Sequence, residues 1–233
     1  MAGCVFRGQS YVFSRARLFN AFVSLSGGAS VTAVPSACLH GLVSRWGLAV
    51  GLDGIYFVSF DGIYRTTGQP EQNITDAQLF PLFHGESRNG YLPVDWTHPE
   101  AIKLQIHQNE LWFTYRDTGG TNQTLIYNIP FQFWRHYSFG REISCAYTEQ
   151  AIPEEAALMI LGGRNSGAGY LHSGTSDDGL AISGRMTTGS HDQGNPRAEK
   201  LYADLFFDLD RSGASILVTP YANSESTPLQ AQT

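Results

Sequence analysis

The tetrapeptide Asp-Gly-Ile-Tyr occurs twice in close succession, at 53–56 and again at 61–64, with Phe57-Val58-Ser59-Phe60 between the copies. Asp-Gly is a strong turn pair, because glycine reaches positive φ freely and aspartate can bond its own backbone. Ile, Tyr, Phe and Val suit a pleated, half-buried surface. Two turns flanking one strand-length run predict an antiparallel meander. No other segment constrains the fold as strongly.

The pattern recurs along the chain. Ser10 to Phe13 precedes Arg17 to Phe19, and Gly54 to Val58 precedes Gly62 to Arg65. Glu110 to Tyr115 precedes Thr124 to Tyr127, and Ala157 to Leu161 precedes Gly169 to His172. Each pair predicts a hairpin with a polar or glycine-rich tip. In the last three a further short strand comes first: Gly47 to Val50, Ile102 to Ile106 and Ile143 to Tyr147. Outer segments at Gln78 to Phe83 and Phe131 to Tyr137 follow two of them. Helical periodicity is almost absent; only Glu149 to Leu158 offers a helical turn, and Pro153 weakens it. The expected fold class is all-β, with a unit of three or four antiparallel strands repeating at roughly 40–55 residues, as in β-propeller blades. The alternative is a generic β-sandwich of the same strands. Three blades and part of a fourth at the N-terminus are visible, fewer than the roughly four to eight of closed propellers. Closure with few blades, blades from a partner chain, or membership of a longer product would each resolve the deficit.

The expected organisation is blades over 1–172, a linker over 173–180, and a small β-sandwich-like segment over 181–233. Ser173 to Gly179 is small and polar, and Leu180 to Thr187 reads as a strand. Glu199 to Leu209 and Ser215 to Tyr221 read as a hairpin over Asp210 to Gly213. Leu201, Ala203, Leu205, Phe207 and Leu209 alternate with Tyr202, Asp204, Phe206 and Asp208, the pattern of a half-buried strand. Three strands make a poor independent domain, so this segment is expected to pack on the blades or on another subunit.

The passage Gly169 to Gly179, containing Ser173-Gly174-Thr175-Ser176-Asp177-Asp178-Gly179, runs into Ile182 to Thr188, Gly194 to Lys200 and the hairpin. This order resembles the β-propeller virion proteins of tailed bacteriophages, in which a propeller ends in a Ser-Gly-Thr-x-Asp-Asp-Gly passage and leads into a β-sandwich. Gly51 to Thr66 is similar to their blade pattern. The resemblance covers about residues 45–221. It implies a non-enzymatic structural protein of the virion, assembled in the host cytoplasm, in a head-to-tail connector, DNA-stabilising hub or tail tip. The implied partners are tail, connector or portal proteins, together with further copies in a homo-oligomeric ring.

Charge and chemistry narrow the classes. Hydrophobic residues at 42 % are ample for a core, while charged residues at 15 % fall below the roughly 25 % of average domains. Such a surface fits a protein hidden in an assembly or a β-protein rich in Thr, Ser, Gln and Asn. A net charge of −6 provides no global basic footprint for nucleic acid, although a locally basic channel is compatible with it. Arg7, Arg15, Arg17, Arg45 and Arg65 enrich the N-terminal third in positive charge. Leu18 to Val34, broken by Ser24, Ser26, Gly27, Gly28 and Ser30, sits late for a secretory signal, and no run reaches a membrane span. Cys4, Cys38 and Cys145 lack the spacing of a disulfide framework or zinc site. The Asn73 and Asn122 sequons are expected by chance in so Asn- and Thr-rich a chain. The seven histidines show no i, i+4 metal spacing, although His98 and His107 could meet across a blade. Asp53, Asp95 and Glu110 are the carboxylates a propeller glycosidase would draw on, but each reads better as a turn or hairpin residue. Asp177-Asp178 falls in the linker and Glu154-Glu155 in a loop. Gly162 to Gly167 joins two strands and so lacks the helix N-terminus of a phosphate loop. Trp112, Phe113, Tyr115, Trp134, Tyr137 and Phe139 crowd one blade and read as packing rather than a sugar platform, with Trp134 and Arg135 as an edge anchor. No catalytic, cofactor-binding or metal-binding residue is assigned. A carbohydrate-binding or carbohydrate-cleaving propeller is the alternative function, carried by an aromatic content of 12 %.

Overall fold

The computed structural model describes residues 2–24, 30–75, 78–137, 142–149, 158–163, 169–171, 176–177 and 180–181. The expected strand at 182–187 and the long hairpin over 199–221 lie outside these residues, as do Glu154, Glu155 and Phe139. The chain is all-β, built mainly from successive antiparallel sheets in which each strand pairs with its neighbour in sequence.

The first sheet comprises β1 (Ala2–Phe6), β2 (Gln9–Phe13), β3 (Leu18–Ser24) and β4 (Ser30–Pro35). The second holds β5 (Leu48–Val50), β6 (Ile55–Ser59), β7 (Gly62–Thr66) and the two-residue β8 (Gln72–Asn73). The third holds β9 (Lys103–His107), β10 (Glu110–Arg116), β11 (Asn122–Asn128) and β12 (Phe133–Tyr137). β13 (Ile143–Glu149), β14 (Leu158–Gly163) and β15 (Gly169–Leu171) form the fourth. β16 (Ser176–Asp177) and β17 (Leu180–Ala181) pair within the stretch read as a linker.

Two expectations are corrected. The N-terminal unit is a complete four-stranded sheet, because Arg7 (φ 49°) and Gly8 (φ 78°) close a tight β1–β2 turn with both central residues left-handed. Gln78 to Phe83 is not a strand: α1 (Phe80–Phe83) forms there, with Pro81 early in the helix where its missing N–H costs nothing. Of the possible helical turn over Glu149 to Leu158, residues 150–157 lie outside the described residues; Glu149 closes β13 and Leu158 opens β14.

The Asp-Gly pairs also work differently from expectation. Neither Gly54 nor Gly62 has positive φ. A Cβ on Gly62 would lie 2.6 Å from Thr75 Oγ1 and 2.8 Å from Asn73 Nδ2, so glycine is required there by close approach. The aspartates bond side chains instead. Tyr56 donates its hydroxyl to Asp53 Oδ2 at 2.7 Å, and Tyr64 donates to Asp61 Oδ2 at 2.8 Å. The repeated tetrapeptide is thus one Asp–Tyr hydrogen bond made twice.

Side-chain alternation ties the sheets together. Along β6, Ile55 and Phe57 join Phe6, Phe13 and Leu18 of the first sheet in one apolar cluster. Tyr56 and Val58 turn to the opposite face and join Leu104, Leu111 and Phe113 of the third sheet. β10 repeats the arrangement: Leu111, Phe113 and Tyr115 face the second sheet, whereas Trp112 packs with Ile143, Met159 and Leu161 of the fourth. A period of two with both faces apolar is what a strand covered on both sides requires. β1 lies against β5, β5 against β9, and β9 against β13. The segment between the first two sheets fills their junction with the buried Cys38 and Leu42. The described residues show four successive meander sheets, the separate β16–β17 pair and no closed ring.

Candidate functional site

The carboxylates singled out in the sequence are each held in a separate local structure. Asp53 Oδ2 takes the Tyr56 hydroxyl and lies 3.2 Å from Arg65 Nε, while Arg65 Nη2 donates to the Asp53 carbonyl at 2.9 Å. Asp95 caps its own turn, accepting the Thr97 hydroxyl and amide. The Thr97 hydroxyl, foremost, holds the Asp95 carboxyl below the usual aspartate range. Glu110 pairs with Arg135 across β10 to β12 at 2.6 Å. His98 binds Glu100 at 2.9 Å on its own loop, and His107 is buried at the end of β9. Burial holds the imidazoles of His107 and His136 below their ordinary pKa. Among the described residues no group of three metal-ligating side chains converges.

The aromatics are placed by packing. Trp112 is 2 % exposed, so its ring face is not accessible to a sugar. Phe113 stacks on Tyr115 at 5.1 Å and on Phe83 at 5.8 Å. Trp134 is half-buried on Tyr127 and reaches the preceding sheet: its indole donates to the Ile74 carbonyl, and its amide to Gln78 Oε1, both at 2.9 Å. Arg7, Arg15, Arg17 and Arg45 are exposed and Arg65 is committed to Asp53.

A polar cluster not anticipated from sequence sits between the first two sheets. His40 Nδ1 meets Glu71 Oε1, which also accepts the Leu39 and His40 amides at 3.0 and 3.1 Å. His40 Nε2 lies 3.2 Å from both Asp61 Oδ2 and the Tyr64 hydroxyl, and its ring stacks on Tyr64 at 4.1 Å. Burial pushes the Glu71 carboxyl upward, but hydrogen bonds from His40 and the Leu39 amide outweigh it and hold the group below its ordinary value. The adjacent Cys38 thiol is pushed up to about 12, chiefly by burial, so it is not a ready nucleophile. Both imidazole nitrogens are occupied by protein groups. The cluster can tether the 36–42 crossover to β7; as arranged, it offers no free base. His40 and Glu71 are 31 residues apart, so only Asp61-Gly-Ile-Tyr64 marked the place in sequence.

An open cleft of about 360 Å³ lies over the first strands of the second to fourth sheets. Arg45, Trp46, Lys103, Gln105 and Tyr147 line it above Trp112. Arg45 sits 4.5 Å over the ring of Trp46, which is 52 % exposed. Lys103 is partly committed, donating to the Ser144 carbonyl at 2.5 Å.

Two sheet faces carry exposed apolar residues that no sheet among the described residues covers. In the first sheet, Val5, Val23 and Val31 are 62, 64 and 69 % exposed. In the fourth, the cross-strand partners Tyr147 and Ile160 are 62 and 38 % exposed. No helix among the described residues is long and apolar enough to cross a membrane. The chain matches no family model and no curated protein.

Proposed function

We propose that this chain is a β-propeller scaffold, a non-enzymatic structural protein of a tailed-phage particle that docks on tail, connector or portal proteins. The observation that carries the propeller is the order of the sheets. Consecutive meanders place their first strands side by side and pack face to face, which is how blades succeed one another around an axis. A two-sheet sandwich leaves each sheet one buried face, whereas the second and third sheets here are apolar on both. The virion assignment rests on the resemblance of the Ser173 to Gly179 passage and is supported by uncovered apolar faces suited to assembly. Mass spectrometry of purified particles tests it: the chain should copurify with portal and tail proteins at fixed stoichiometry. Its absence from intact particles would sink the assignment.

A second reading has one observation in its favour. Trp46 and Tyr147 are exposed aromatics at one cleft, and Arg45 and Gln105 supply donors beside them, the kind of surface on which a sugar ring stacks. A glycan array with Trp46→Ala as control decides this; signal that persists without Trp46 assigns binding elsewhere.

A further inference from the structure

The open cleft over the second to fourth sheets is one-sided in charge. Arg45 and Lys103 line it together with Trp46, Gln105, Cys145 and Tyr147, and no carboxylate is among the described residues at its walls. The chain carries a net charge of −6, so two cations without an acid run against its composition.

The turn that presents Arg45 and Trp46 is fixed from several sides. The Gly47 amide closes it by donating to the Ser44 carbonyl at 2.9 Å, and the Ser44 hydroxyl accepts the Trp46 amide at 3.3 Å. The Val43 amide donates to the Val58 carbonyl at 3.0 Å, and the Val58 amide to the Gly47 carbonyl at 2.9 Å. The Leu104 amide donates to the Trp46 carbonyl at 2.9 Å and ties the turn to β9. A turn held in this way loses little further freedom when a ligand arrives. Its two central residues are nevertheless exposed. Trp46 remains 52 % exposed with the Arg45 guanidinium 4.5 Å over its ring, so the fold gains little from a tryptophan there. Tyr147, 62 % exposed, offers a second open ring at the same cleft.

We propose that this cleft takes an acidic saccharide, a unit of uronic or sialic acid, whose apolar ring face packs on Trp46 and Tyr147 while its carboxylate meets Arg45 and Lys103. The inference rests on the saccharide reading of the cleft above and adds the charge that the ligand must carry. It needs no catalytic group, so it is compatible with a scaffold role.

Each part of the ligand has a partner. An aromatic ring supplies rigid apolar area for the ring face of a sugar. The planar guanidinium of an arginine matches a carboxylate with two parallel hydrogen bonds. Lys103 commits one of its ammonium donors to the Ser144 carbonyl and keeps the others. The Gln105 amide adds a neutral partner for a hydroxyl. A volume of about 360 Å³ suits a small ligand. Nucleic acid shares the ring and the charge, but a strand brings a phosphate with every nucleotide to a chain of net charge −6. A single carboxylate against two cations is the better match.

An array of uronic-acid and sialylated oligosaccharides, their neutral counterparts and oligothymidylate, probed with the full-length chain, tests this. The acidic glycans should exceed their neutral counterparts by about tenfold or more. Arg45→Ala and Trp46→Ala should each lower the acidic signal by about tenfold, with circular dichroism unchanged because both side chains are exposed. Arg17→Ala removes the same charge at an exposed site off the cleft and should leave the signal intact. Cys145 locates the ligand without a mutation. It lines the cleft and is exposed, whereas burial pushes the Cys38 and Cys4 thiols up to about 12 and about 11. A bound acidic oligosaccharide should slow the alkylation of Cys145 by iodoacetamide several-fold, as mass spectrometry will record. Equal acidic and neutral signals that depend on Trp46 overturn the proposal yet keep the saccharide reading. Silence from every glycan, or a stronger signal from oligothymidylate than from any glycan, removes both. An acidic signal that survives Arg45→Ala, falls equally with Arg17→Ala or leaves Cys145 unprotected overturns the proposal by placing the binding elsewhere.

Discussion

The strands β6 and β4 are comparable in length and both rich in apolar residues, yet their fates are opposite. Every residue of Ile-Tyr-Phe-Val-Ser in β6 is buried; every residue of Ser-Val-Thr-Ala-Val-Pro in β4 is exposed. β6 lies between two sheets and β4 closes the edge of the first. The difference teaches that burial here belongs to position in the series of sheets. A strand's own apolar content does not secure it.

The largest expected effect tests the two-sided interior. Phe113→Ala removes a fully buried ring from the junction of the second and third sheets and should cost about 3–5 kcal/mol in urea unfolding. A cost near zero would mean that the middle sheets are not packed as described.

Next comes the junction of the first two sheets. Glu71 is 7 % exposed at its side chain and receives two amides and an imidazole. Glu71→Ala should destabilise by about 1.5–3 kcal/mol at neutral pH, the range for hydrogen bonds to a charged group. Because the folded carboxyl titrates below its ordinary 4.5, its contribution is fully present above that value. It fades as pH falls through the folded pKa. The acid loss of stability should therefore be smaller in the variant, as unfolding curves at pH 7 and in acid will record.

Trp134→Phe keeps the ring contact with Tyr127 but removes the hydrogen bond to Ile74. A loss of about 0.5–1.5 kcal/mol is expected by the same denaturation assay. An unchanged midpoint would show that the outer strand does not fasten the second and third sheets.

The smallest effect is expected on the uncovered face. Val31→Thr keeps the β-branched shape at a residue 69 % exposed and should change the stability of the isolated chain by no more than about 0.5 kcal/mol. A markedly larger cost, growing with protein concentration, would show the face to be covered and would narrow the contrast with β6.

Much of the fold was legible from local pattern. The hairpins at Gly54 to Arg65 and Glu110 to Tyr127 were readable because β-branched and aromatic runs met turn residues at strand-length intervals. β1 and β4 escaped notice: Ala2–Phe6 is short and glycine-containing, and Ser30–Pro35 falls in a mildly apolar stretch broken by serines and glycines. Phe80–Phe83 read as a strand because four residues are too few to reveal a period. The glycines of the doubled tetrapeptide were assigned to turn geometry, whereas Gly62 answers to the crowding of Asn73 and Thr75, contacts made only once β7 and its flanking segment come together. The His40 cluster was invisible for the same reason, since His40 precedes the second sheet and Glu71 lies between its last two strands.

By itself, the sequence determined that this chain is built of antiparallel meanders, because turn chemistry and two-residue alternation are local properties. Tertiary structure decided which faces are interior. Tyr56 and Phe57 are neighbours of similar size, yet alternation sends one toward the third sheet and the other toward the first. Val58 and Val31 are the same residue in similar strands, yet one is fully buried and the other 69 % exposed. Burial depends on whether another sheet lies opposite, and no residue's own chemistry encodes that.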